Sequence, residues 1–146
     1  MIAVNSITNR LYTLFALDPV LTGSGFRIEN GAPLNGDPDY APWIGILRGR
    51  VSLQPYIVGG VHPWRGSLDI HVYHQEYSLQ GSADVLRRLD MSADYLTTLI
   101  GSNTQLDGLV GKLEGIDAEL FAFNEAKGKG EYFATHLITL RYQVTG

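Results

Sequence analysis

The chain has 146 residues, 11 basic and 15 acidic side chains, a net charge of −4 and no cysteine. Its length fits a single domain spanning 1–146, with a core that needs no covalent staples. The composition excludes disulfides and thiolate metal sites. It also lacks an apolar run of about eighteen residues that could cross a membrane. Arg87-Arg88 is the only adjacent basic pair, so the basic stripe of an electrostatic nucleic-acid binder is missing as well.

The first ten residues, M-I-A-V-N-S-I-T-N-R, have neither the basic start nor the continuous apolar stretch of a signal peptide. Val4, Ile7, Leu11 and Leu14 recur at helical spacing, with Phe15 and Leu17 widening the stripe. Asp18-Pro19 should end this helix, because a residue before proline avoids the helical region. Thr22–Gly25 reads as a turn and Phe26–Glu29 as a short strand. Asn30–Pro42 holds three prolines and two glycines in thirteen residues, which forbids regular structure. A connection of that length in a compact domain is usually functional or mobile.

Trp43 to about Leu53 alternates as a strand with apolar residues on both faces. Gln54–Pro63 follows as an irregular segment with a Gly59-Gly60 tip. Trp64–Tyr77 is a long alternating strand. Leu68, Ile70, Val72 and His74 share one face, and Asp69, His71, Tyr73, Gln75 and Tyr77 the other. A helix over Ser82–Ile100 carries the stripe Leu86, Leu89, Ala93, Leu96, Ile100, with Ser82 as N-cap and Gly101 just past its end. Gly108–Phe123 reads as a strand broken by glycines, and Glu125–Glu131 as a polar hairpin tip. Tyr132–Val144 is a closing strand with Tyr132, Ala134, His136, Ile138, Leu140, Tyr142 and Val144 facing inward. The order helix, strands, helix, strands predicts an α+β fold: a mainly antiparallel twisted sheet with two helices packed on one face.

Catalytic and metal signatures are sparse. His71 and His74 sit three apart on a strand, hence on opposite faces, while folding could bring His74 and His136 together. Zinc would need a third ligand that the sequence does not supply. Asp69 and His71 could serve a triad with a distant serine, but no G-x-S-x-G elbow is present. Asp37 and Asp39 lie in a turn-rich loop, and Lys127-Gly-Lys-Gly130 lacks P-loop spacing. The expectation is therefore no enzyme, no cofactor and no metal. The apolar and aromatic residues of the irregular segments and their flanks point instead to an interface: Leu34, Tyr40, Trp43, Tyr56, Ile57, Val58 and Trp64.

Four blocks carry a family resemblance: V-N-S-I-T-N-R-L-Y-T-L-F-A-L-D-P, F-R-I-E-N-G-A-P-L-N-G-D-P-D-Y-A-P-W-I-G-I, L-D-I-H-V-Y-H-Q-E-Y with the helix after it, and A-T-H-L-I-T-L-R-Y-Q-V. In these the chain resembles the tail-terminator, or tail-completion, proteins of long-tailed bacteriophages. The resemblance implies a non-enzymatic ring, usually of six subunits. Such a ring caps the tail tube, stops its polymerisation and joins it to the head connector. It also implies a virion location after assembly in the host cytoplasm. The implied partners are further copies of the chain, the tail-tube protein and the head–tail connector protein. DNA would pass through an acidic pore without specific binding. A related tube or head–neck component, or a small hydrolase or ligand-binding domain, are the alternatives.

Overall fold

The structure is a computed structural model that describes residues 3–31, 42–55, 64–125 and 130–145. Helix α1 (Val4–Ala16) buries Ile7, Leu11 and Phe15, one face at three- and four-residue steps. Each such side chain contributes about 1.5–3 kcal/mol when fully buried. Leu17 is not part of that face and is 77% exposed. The chain leaves the α1 axis here because Asp18 starts another helix. Its Oδ1 accepts from the backbone N–H groups of Val20 and Leu21, both at 3.0 Å. Pro19 takes the first helical position, where its missing N–H costs nothing. Helix α2 (Pro19–Gly23) thus takes in the first half of the expected Thr22–Gly25 turn, and Ser24-Gly25 remain a turn.

Strand β1 (Arg27–Glu29) pairs in parallel with the start of β2 (Trp43–Pro55). Strand β3 (Trp64–Ser78), β4 (Lys112–Glu125) and β5 (Tyr132–Thr145) complete a sheet ordered β1-β2-β3-β5-β4. All other pairings are antiparallel. The β2–β3 hairpin is closer than a side chain would allow. A Cβ on Gly66 would overlap the Ser52 carbonyl.

Helix α3 (Ser82–Gly101) follows β3. Its N-cap is Gly81 at φ 115°, a backbone region glycine enters freely, and not Ser82. Asp84 in the first turn accepts from Ser78 Oγ at 2.5 Å and from Arg87 and Arg88 at 2.8 Å. The buried stripe is Val85, Leu89, Ala93, Leu96 and Ile100, so Val85 takes the place expected of Leu86. A 3-10 turn, Leu106–Gly108, leads into β4.

The helices lie on one face of the sheet. Ile7, Leu11 and Phe15 of α1 and Leu96 and Ile100 of α3 share a core with Ile44, Ile46, Ile70, Val72, Ile138 and Leu140 of the strands. Val85, Leu89 and Ala134 form a smaller cluster toward the other end of α3. The fold is the expected α+β class, with a mixed sheet and a third, short helix added. Among the described residues no helix is long and apolar enough to cross a membrane.

Candidate functional site

Two places in the fold gather chemistry. The first lies under α3. His74 on β3 and His136 on β5 are register partners, and their rings meet edge to face at 5.6 Å. His74 Nε2 is 2.6 Å from Ser92 Oγ of α3. Glu76, two residues along β3, is buried and lies near Ser92. A cleft of about 480 Å³ opens beside this cluster, walled by Val20, Leu21, Phe26 and Met91.

Burial, helped by the neighbouring His136, pushes the His74 pKa down to about 3. Burial lowers His136 too, partly offset by Asp90. The Glu76 carboxyl is raised by burial against the pull of Ser92 and Arg88. A serine beside a histidine suggests acyl transfer, but the pair lacks the rest of the machinery. His74 Nδ1 meets no hydrogen-bond partner among the described residues, so nothing orients the ring as a base. Ser92 sits mid-helix and donates to the Arg88 carbonyl at 2.9 Å. The nearby N–H groups belong to the helical ladder and are not free to form an oxyanion hole. Among the described residues no group of three or more His, Cys, Asp or Glu could hold a metal ion.

The Asp69–His71 pair is not assembled. Both lie on the opposite sheet face, where Asp69 accepts from Arg141 Nε at 3.0 Å and His71 Nδ1 approaches Thr139 Oγ1 at 3.3 Å. Asp69→Ala and His71→Ala are expected to leave the fold intact, each costing less than about 1 kcal/mol, as for partly exposed polar contacts. Denaturant midpoints check this. A turnover of esters or phosphoesters that either change abolishes would overturn the structural assignment.

The second place is the sheet's edge at β4. Among the described residues this strand pairs only with β5 and ends the sheet. Nearly all its side chains are exposed or half-buried, among them Leu120 at 53%, Phe121 at 58% and Phe123 at 41%. Phe121 packs edge to face on Tyr73 across the helix-free face, at 5.2 Å. Phe123 stacks on Tyr132 at 6.1 Å. Three large apolar side chains exposed within four residues exceed the single scatter of an ordinary surface, which makes this edge the candidate contact surface.

The expected interface residues are distributed differently. Leu34, Tyr40, Tyr56, Ile57 and Val58 lie outside the described residues. Trp43 is 5% exposed, and its indole N–H donates to Gln75 Oε1 at 2.7 Å. Gln75 in turn donates to Thr135 Oγ1 at 3.1 Å, so Trp43 belongs to a buried polar chain within the subunit. Trp64, the first residue of β3, is 45% exposed. Leu120, Phe121 and Phe123 were not among the expected residues. The acid-flanked run E-L-F-A-F was the available signal. No protein-family model and no curated protein matches the chain.

Proposed function

We propose that this chain is a self-assembling structural protein, a ring-forming tail terminator of a long-tailed bacteriophage. In this reading it seats on the last ring of the tail tube, stops its growth and presents a surface to the head connector. It performs no catalysis. The observation that carries the reading is the open β4 edge with Leu120, Phe121 and Phe123 in water. An isolated subunit gains nothing from that arrangement, whereas an assembly gains roughly 1–3 kcal/mol for each such side chain it covers. The α+β scaffold leaves the other sheet face without a helix among the described residues, which supports an assembling subunit.

Light scattering on the purified protein, with and without tail tubes, tests the proposal together with a tube-growth assay. The expected result is a closed oligomer of defined mass that halts tube elongation when added. A protein that polymerises alone into tubes would instead be a tube component. One that stays at single-chain mass and leaves tube growth unchanged would overturn the proposal.

A further inference from the structure

Among the described residues the sheet has two open edges, and they carry opposite charge. Strand β4 holds Glu114, Asp117, Glu119 and Glu125 against a single Lys112. At the far side, β1 pairs only with Trp43, Ile44 and Gly45. From Ile46 to Pro55, β2 therefore has no strand on that side among the described residues. This stretch carries Arg48 and Arg50 and no carboxylate. Neither arginine enters an ion pair among the described residues. It also exposes Leu47 and Leu53, at 37% and 38%.

We propose that β4 of one copy pairs edge to edge with the Ile46–Pro55 stretch of β2 in the next copy. The sheet then continues from subunit to subunit. This rests on the ring-forming reading and names the contact that builds the ring. Both stretches can pair over about ten residues, roughly 34 Å of strand. The backbone groups on their outer sides, which pair with no strand among the described residues, supply the ladder.

Charge chooses among the possible pairings. Two β4 edges would set carboxylates against carboxylates, and two β2 edges would set arginines against arginines. Like charges across a strand pair are destabilising. Only the mixed pairing brings opposite signs together, and it also covers Leu120 and Phe121 with a partly apolar edge. A mixed contact uses two different surfaces of the same chain, so it repeats head to tail and closes into a ring when the rotation allows. The edge charges thus act both against aggregation of like edges and for one specific neighbour.

Two charge reversals test the contact. One variant carries Arg48→Glu and Arg50→Glu. The other carries Glu114→Lys, Asp117→Lys and Glu119→Lys. Each alone should run at single-chain mass where the wild type assembles, with an unchanged circular-dichroism melt. An equimolar mixture should regain the assembled mass, because every β2 edge then meets a β4 edge of opposite sign. Variants that assemble alone like the wild type, or a mixture that fails to recover, would overturn the edge pairing and leave the ring reading standing. A wild type that stops at two chains would overturn the head-to-tail contact. A wild type that stays single with and without tail tubes would overturn both.

Discussion

Acidification from pH 6.5 toward about pH 3 is expected to remove on the order of 5 kcal/mol of stability through His74 alone. Its folded pKa is about 3, against an ordinary value of 6.5, because burial and the neighbouring His136 disfavour the cation. Below pH 6.5 the unfolded chain binds a proton at this position and the folded chain does not. Stability is therefore complete above 6.5 and falls by about 1.4 kcal/mol per pH unit until the folded group also titrates. His136, lowered by burial, adds to the loss in the same direction. Glu76 acts oppositely. Burial raises it, so the folded chain takes up this proton first, and some stability returns as pH falls toward 4.5. Asp84, held near 2 by the Ser78 hydroxyl and then Arg87, gives up its contribution between pH 3.8 and about 2. Urea titrations across this range measure the slope. His74→Phe should flatten it, and a slope that is already flat in the wild type would refute the burial assignment.

Leu96→Ala should cost about 4–5 kcal/mol, the upper part of the range for a buried leucine. Leu96 is fully buried in the main core, which α1, the strands and α3 build together. Walls fixed by so many elements relax little, and the cavity stays open. Leu89→Ala should cost nearer 2–3 kcal/mol. Leu89 is equally buried, but it packs in the small cluster with Val85 and Ala134, where partly buried Leu86 and Tyr132 can move in. Guanidinium unfolding of the two variants gives the comparison. Equal losses would show that the two clusters form one rigid core, and unchanged midpoints would show that the buried face of α3 is wrongly identified.

The sequence made the long periodic elements legible because their burial is one-sided. The strand faces around Ile70, Val72, Ile138 and Leu140, and the α3 positions Leu89, Ala93, Leu96 and Ile100, follow directly from spacing. Positions that satisfy two registers were harder. Leu86 and Val85 both fit the α3 period from Leu89, but Val85 is fully buried in the cluster with Leu89 and Ala134 while Leu86 packs only partly against it. Leu17 fits the α1 period but falls beyond the end that Asp18 and Pro19 impose. Gly115 looked like a break in the strand, and it sits at a bulge in a β4 that runs on past it. The candidate surface was least legible. An aromatic such as Trp43 suits an interface by type, yet its fate depends on facing Gln75 across β2 and β3. Likewise the E-L-F-A-F run becomes a surface only because β4 falls at the sheet's edge, and strand order is not written in any local pattern.

The two tryptophans make the molecule its own optical reporter. Trp43, enclosed and hydrogen-bonded to Gln75, should emit toward the blue and resist iodide quenching for as long as the domain stays folded. Trp64, opposite Pro55 at the end of the open β2 stretch, should emit toward the red and be quenched readily in the free subunit. A neighbour arriving on that edge changes the second signal and not the first, while denaturation changes both. Trp64→Phe leaves a probe of folding alone, so assembly and unfolding become separable by colour in a single cuvette.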